Sequence, residues 1–324
     1  MMLLARAVCI ACWALLLAMP LAAVAQPARE LYRIGWLTPT KAIAEYPFIS
    51  AMGKLGYVEG KSFVLVRRSA DDNLQRLPEL AVELANARVD VIVAISPPAI
   101  LAAAKATDRI PIIMAFWGAG GLLESGLVRS FARPGRNVTG IYMLADELEA
   151  KRLELLLQAV PKAKRVGVLG PGLGNAMVEL KRFAQTAGVQ LQFASVGEGD
   201  DAYRRAFEAL AAAHVDAVLV PSFPRFFRET RQIVDQAANH RLPAMYEWSS
   251  MAAEGGLMAY GPEFDHLESK VAAFVDRVLK GAAPADLPVE QPTKFELVVN
   301  MKTAKALGLP IAPSLLLRAD RVID

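Results

Sequence analysis

"RVDVIVAISPP" (88–98) and "HVDAVLVPSFP" (214–224) are one line written twice, 126 positions apart, with Val-Asp, an apolar run, Ser and Pro in register. Three more pairs extend the repeat, each displaced by 132 positions: "YRIGWLT" (32–38) with "KRVGVLG" (164–170), "LGYVEGKSFVLVRRSADD" from Leu55 with "AGVQLQFASVGEGDD" from Ala187, and "RIPIIMAFW" from Arg109 with "RLPAMYEWS" from Arg241. Each half therefore reads strand, helix, strand, helix, strand, helix, strand. The strands are continuous apolar runs. Between them, "LPELAVELANA" sets Leu77, Leu80, Ala81 and Leu84 on one helical stripe, and "KRLELLLQAV" does the same with Leu153, Leu156, Leu157 and Val160.

Apolar strands alternating with amphipathic helices form parallel sheets covered on both faces, because each crossover helix packs back onto the sheet. Two such units in tandem predict two doubly wound α/β lobes. Open parallel sheets bind ligands outside the carboxyl ends of their strands. Two copies facing each other across a hinge make a cleft, so the repeated turn is expected to close on one ligand from two sides.

Composition agrees with a folded chain large enough for two cores: 324 residues, 54% hydrophobic and 21% charged. The formal net charge is +3 and no Lys/Arg block is present, which gives no support to a nucleic-acid partner. Arg6 precedes an apolar run from Ala7 to Val24, interrupted by Pro20 and ending in Ala23-Val24-Ala25. That pattern predicts a signal peptide over residues 1–25, cleaved after Ala25, and export to a bacterial periplasm. Cys9 and Cys12 are the only cysteines and lie inside that segment, too early for a lipid anchor. The mature chain would hold no disulfide, thiolate nucleophile or Cys-ligated metal.

"SFARPGRNVTGIY", "AEGGLMAYGP" and "VDRVLKGAAPADLPVEQPTKFELVVNMKTAKALGLPIAPSLLLRAD" bring in a family. With the stretch from Leu55 they resemble the ABC transporter substrate-binding proteins, the family that includes tryptophan and tyrosine binders, from about Tyr32 to the C-terminus. The resemblance implies the periplasmic-binding-protein type I fold, with lobe 1 formed by 31–142 plus 256–282 and lobe 2 by 143–255 plus 283–324. It also implies a small-molecule ligand, an ABC permease with its ATPase as partner, a monomer and no cofactor. "GRNVTGIY", "GGLMAYGP" and "GAAPADLPVEQPT" carry the Gly and Pro expected of the three crossings, around Thr139, Gly261 and Pro288; ordinary surface loops would read the same.

The strand ends nominate the cleft residues. In the first half these are Thr38, Pro39, Ser96, Pro97, Pro98, Phe116 and Trp117. In the second they are Gly172, Leu173, Gly174, Asn175, Ser222, Phe223, Glu247 and Trp248. Tyr142 and Tyr260 join them beside the crossings. Trp117 and Trp248 end equivalent strands, where two aromatic walls would sandwich a flat ligand; partial core is the alternative for each. Ser96 and Ser222 occupy positions suited to helix N-caps, and capping alone accounts for them. The functional alternative is a carboxylate attracted to a helix N-terminus. Pro97, Pro98 and Pro224 remove backbone N–H donors there, which favours a monocarboxylate with an apolar or aromatic body over a phosphate.

Three departures from the family separate this chain from a direct transfer of amino-acid specificity. It has "WGAGGLLES" in place of a Gly-Asp-Pro turn, Phe223 where an Asp precedes the Pro, and Glu263 where an Asn ends "YGP". Glu247 and Glu263 are the acidic groups left to pair with an ammonium, unless they are solvated surface. An enzyme finds little support. His214, His240 and His266 are the only histidines, and no His-Glu-x-x-His pair, Gly-x-Ser-x-Gly elbow or Walker loop occurs. "GPGLGN" (170–175) has Asn175 where a dinucleotide loop needs its third Gly, and His240 reads as a helix C-cap. A receptor that docks on a membrane sensor is the remaining alternative.

Overall fold

The computed structural model describes residues 31–40, 45–117, 121–143, 145–170, 177–199 and 201–324. Residues 1–25, expected from the sequence to be a signal peptide, and the loop from Gly172 to Asn175 lie outside the described residues. The first half builds β1 (Tyr32–Thr38), α1 (Tyr46–Lys54), β2 (Phe63–Ser69), α2 (Leu77–Asn86), β3 (Val91–Ile95), α3 (Ser96–Ala106), β4 (Ile112–Trp117) and β5 (Val138–Tyr142). These strands form one parallel sheet in the order β2-β1-β3-β4-β5.

The second half repeats it with α4 (Ala145–Ala159), β6 (Arg165–Leu169), α5 (Val178–Thr186), β7 (Gln190–Ala194), α6 (Ala202–Ala212), β8 (Ala217–Leu219), α7 (Pro224–Arg228), α8 (Thr230–Asn239), β9 (Ala244–Tyr246), α9 (Ser249–Ala253) and β10 (Met258–Pro262). Its sheet runs β7-β6-β8-β9-β10, the same order, and is extended by β11 (Phe295–Asn300), antiparallel to β10, and β12 (Arg321–Ile323).

The duplicated Val-Asp has a duplicated task. Asp90 accepts the Arg33 N–H at 2.8 Å and returns its own N–H to the Arg33 carbonyl at 2.7 Å. Asp216 makes the same exchange with Arg165, at 2.8 Å both ways. The two arginines also repeat each other, Arg33 Nε donating to the Ala87 carbonyl and Arg165 Nη1 to the Ala213 carbonyl. One carboxylate thus pins the start of the first strand to the turn before the third in each lobe, which satisfies strand-end donors that burial would otherwise leave costly.

The predicted stripes are the buried ones. Leu77, Leu80, Ala81 and Leu84 are buried on α2, and Leu153 and Leu156 on α4, with Leu157 and Val160 partly buried beside them. Each sheet is covered on both faces. α10 (Phe264–Leu279) follows the second sheet in sequence but packs Leu267, Val271, Phe274 and Val275 into the first-lobe core with α1.

The chain passes between the sheets three times, and two of the changeovers differ from those expected. The sequence places residues 256–282 in lobe 1, yet β10 hydrogen-bonds β9 and β11, so the chain changes lobe at Pro262–Glu263. The reason lies in the repeat: β10 is the fifth strand of its half, as β5 is of the first, and its backbone groups find their ladder partners between β9 and β11. Residues before β11, expected in lobe 2 from 283, run along β5, with Glu290 N–H donating to the Gly140 carbonyl at 2.9 Å and Tyr142 N–H to the Glu290 carbonyl at 2.9 Å. Glu263 N–H donates to the Lys294 carbonyl at 3.1 Å, which ties the second crossing to the third. Glycine sits at both fifth strands for the same reason. A Cβ on Gly140 would lie 2.2 Å from the Met114 carbonyl oxygen, and one on Gly261 would lie 2.3 Å from that of Glu247. Among the described residues no helix is long and apolar enough to cross a membrane.

Candidate functional site

The strand order reverses at β1/β3 in one lobe and β6/β8 in the other, so the carboxyl ends of these strands and their neighbours line the cleft. On the first edge, Thr38 Oγ1 accepts the Thr40 N–H at 3.3 Å and fixes a local turn, and Ser69 Oγ donates to the Thr40 carbonyl. Thr38, Thr40 and Ser96 are all buried. Pro97 is half-buried at the start of α3. Ser96 does not cap that helix: Ile95 takes the N-cap position, and Ser96 is its first residue with φ +73°. Ser222 does not cap one either. Helix α7 begins two residues later with Phe223 as N-cap, and Ser222 instead donates its N–H to Glu149 Oε1 at 3.1 Å. Capping needs an extended residue immediately before the helix, and in both copies a neighbour occupies that place.

Trp117 is 3% exposed and seated in the core on the α2/α3 side of the first sheet. The ring that reaches Trp248 is Phe116, 6.5 Å away and edge-on. Successive strand residues point to opposite faces, so adjacent Phe116 and Trp117 diverge, and Phe116 is turned further by φ +65°. Phe264, at the start of α10, stacks on Phe116 at 6.2 Å and on Phe227 at 5.3 Å, and meets Trp248 edge-on at 5.4 Å. Phe116 and Phe264 belong to first-lobe elements, Phe227 and Trp248 to the second. Four rings therefore join the two strand-end edges directly. Phe223 packs on Phe226 at 5.3 Å, Tyr142 on Phe131 at 5.1 Å, and Tyr260 stacks on Phe295 at 6.0 Å.

A second lobe–lobe contact lies on the rim. Arg228 Nη1 reaches both oxygens of Asp72 at 2.8 Å, while its Nη2 donates to Glu229 at 2.6 Å. Burial alone would raise the Glu229 carboxyl, but hydrogen bonds from Tyr203, Arg228 and Arg225 outweigh it and hold the group below the usual carboxylate range. Arg228 is thus presented to Asp72 on a braced carboxylate.

Behind the second edge is a buried ionic cluster of which the sequence pointed only to Glu247. Arg152, 1% exposed, donates through Nη1 to Glu149 at 2.5 Å and through Nε to the Tyr260 carbonyl at 2.7 Å, and its Nη2 contacts Glu247 at 3.2 Å. Burial pushes the Glu247 carboxyl upward against the attraction of Arg152, and its Oε2 has no partner among the described residues. One guanidinium between two carboxylates joins α4, the end of β9 and strand β10 at Tyr260, just before the crossing. Asn175 lies outside the described residues.

Phe227, Phe264, Arg228, Asp72, Glu149 and Arg152 are site residues that the strand-end rule does not nominate. Phe264 alone had a signal, its place directly after a crossing motif. Glu149 and Arg152 read as ordinary polar positions of an amphipathic helix.

The sequence pattern of the family described as ABC transporter substrate binding protein matches residues 41–323. A tyrosine-binding protein of Clostridioides difficile strain R20291 is 28% identical over 277 residues, 84% of this chain and 78% of its own length. The Streptococcus pneumonia ABC domain solved in complex with L-Trp superposes with TM-score 0.79 at 24% identity, over 90% of this chain and 99% of that one. The ligand-free, open structure of a Clostridium difficile substrate binding protein with adhesive properties gives 0.62 at the same identity and the same coverages. The two lobes have the periplasmic-binding-protein type I fold, and the chain belongs to the ABC transporter substrate-binding protein family.

Proposed function

We propose that this chain is the periplasmic solute-binding component of an ABC importer: exported by its N-terminal segment, it closes two lobes as a monomer on a small organic ligand and delivers it to a membrane permease. The ligand class is an amino acid or an aromatic or aliphatic carboxylate. The observation that carries this reading is the four-ring seam of Phe116, Phe227, Trp248 and Phe264, where strand ends of both lobes meet. Each lobe supplies half of a contact that exists only when the cleft is shut, and a permease distinguishes loaded from empty protein by such a change. The named ligands of two relatives, tyrosine and L-Trp, support the class.

Thermal melts of the protein beginning at Gln26, against amino acids, aromatic and aliphatic acids, dicarboxylates and sugars, test it. A bound solute at a hundred times its dissociation constant adds about 2.7 kcal/mol to stability. A rise with an amino acid or monocarboxylate supports the class; a rise with sugars alone overturns it, and no rise with any solute overturns solute binding.

A further inference from the structure

The edge of lobe 1 opposite the cleft collects cations that the sequence keeps apart. Strands β2-β1-β3-β4-β5 are parallel, so the turns that enter them share one edge. Lys61 stands two residues before β2, Arg33 is the second residue of β1, and Arg88, Arg109 and Arg136 lie in the turns before β3, β4 and β5. All five are exposed. Neighbouring strands lie about 4.8 Å apart, so the row spans roughly 19 Å. Arg33 Nε is engaged with the Ala87 carbonyl, whereas the charged groups of Lys61, Arg88, Arg109 and Arg136 have no hydrogen bond or ion pair among the described residues. Of the acids on this edge, Asp90 holds the Arg33 N–H, which leaves Asp108 before β4 and Asp286, next to Ala285 whose carbonyl accepts the Gly135 N–H, beside the turn into β5.

At its β1–β2 end the row meets apolar side chains. Leu31 precedes β1, Leu55 and Val58 lie in the turn from α1 to β2, and all three are exposed. Tyr32 and Tyr57, their neighbours in sequence, meet edge-on at 6.2 Å, and the Tyr32 N–H donates to the Ser62 carbonyl at 3.0 Å, so the two turns lie side by side. The second copy lacks this combination. Its turns hold His214 in place of Arg88 and Gly256 in place of Arg136, and Arg241, the counterpart of Arg109, donates to the Ala306 carbonyl. Ala187-Gly188-Val189 leads straight into β7, without the longer turn that carries Leu55, Val58 and Lys61.

An exposed row of cations with an apolar flank fits a surface of many phosphates rather than one enclosed anion. The chain itself points to the surface. It enters β1 from this edge seven residues after Ala25, so the apolar run 7–24 ends within about 25 Å of chain from the row.

We propose that this edge of lobe 1 rests on anionic phospholipid, with Lys61, Arg88, Arg109 and Arg136 on headgroup phosphates and Leu31, Leu55 and Val58 among the upper acyl carbons. The cleft lies at the opposite ends of the same strands, so bilayer contact leaves lobe closure and solute entry free. The site does not depend on which solute the cleft takes.

Sedimentation with vesicles tests it, using the protein beginning at Gln26 and vesicles of phosphatidylcholine alone or with one-third phosphatidylglycerol. Wild-type protein sediments with the phosphatidylglycerol vesicles at low salt and is released at high salt. Each arginine contributes about fivefold, so Arg88→Gln, Arg109→Gln and Arg136→Gln combined lose about 100-fold, while Lys at the same three positions keeps most of the binding. Leu55→Ser with Val58→Ser loses about tenfold, and Arg241→Gln in lobe 2 loses nothing. Exposed side chains leave the melting temperature of every variant near that of wild type. Absence of wild-type sedimentation with phosphatidylglycerol, equal binding to phosphatidylcholine alone, unchanged binding in the triple Gln variant, or an Arg241→Gln loss as large as that of the triple overturns the site. Binding to inorganic polyphosphate that the vesicles fail to compete away assigns the row to a soluble polyanion and overturns it too.

Discussion

The two strand-end edges descend from one repeated sequence line, yet they hold opposite chemistry. At the first, Thr40 Oγ1, Ser96 Oγ and Trp117 Nε1 have no partner among the described residues. At the second, Glu149, Arg152 and Glu247 are buried and bonded largely to one another, and even the Ser222 N–H is taken up by Glu149. The same Asp pins the same strand in both lobes, and the divergence lies in the strand-end turns and in helix α4, which supplies Glu149 and Arg152. One copy of the turn leaves hydroxyls unpartnered among the described residues, while the other draws its acidic groups into an ion cluster beside the crossings.

The largest effect expected from this contrast is at Arg152. Arg152→Met leaves two buried carboxylates without their cation and should cost about 3 to 5 kcal/mol in denaturant unfolding at pH 7. Replacing Glu149 and Glu247 by Gln in the same protein should restore much of it. A loss no greater than that of Ser96→Ala would erase the distinction between the edges.

Next is a pH dependence that sets the first lobe's buried acid against the second lobe's paired ones. Glu268, on α10 one turn below Phe264, is pushed by burial up to about 8, with Asp265 adding to the shift. The folded state therefore holds a proton that the unfolded chain releases near its ordinary value. Stability contributed by the raised group is complete below about pH 4.5 and is lost as pH climbs through 8, by up to about 1.4 kcal/mol per pH unit. Glu268→Gln should flatten that decline in melts between pH 5 and 8; an unchanged slope would place the proton elsewhere.

The smallest effect belongs to the rim pair of Arg228 and Asp72, whose side chains are 26% and 42% exposed. A half-exposed pair contributes about 0 to 1 kcal/mol, so Asp72→Asn or Arg228→Gln should weaken solute affinity by at most about fivefold, and less at high salt. The exchange Asp72→Arg with Arg228→Asp should recover part of the loss if the contact is between charges.

The fold was legible because it is written in periodicities that survive duplication: apolar strands, helical stripes and the repeated Val-Asp. The lobe boundaries were less so, because Gly-rich "GGLMAYGP" looks like a point of crossing while backbone pairing holds β10 in its own sheet to Pro262. Within the site, the strand rule identified Ser96, Trp117, Glu247 and Trp248 as edge residues but not their roles. Orientation at Phe116–Trp117 depends on one positive φ, and Arg152 is buried through tertiary contacts that no local pattern announces. Phe227 and Arg228 lie on a five-residue helix whose partners are distant in sequence.

Lobe closure on a solute is the central claim, and small-angle scattering reads it most directly. The protein beginning at Gln26 is measured after refolding without solute, and again with a saturating concentration of whichever panel acid most raises its melting temperature. Closure predicts a smaller radius of gyration with the acid present, because the ring seam and the Arg228–Asp72 pair join only when the lobes meet. Superimposable curves at saturation would contradict it and leave a rigid binding module.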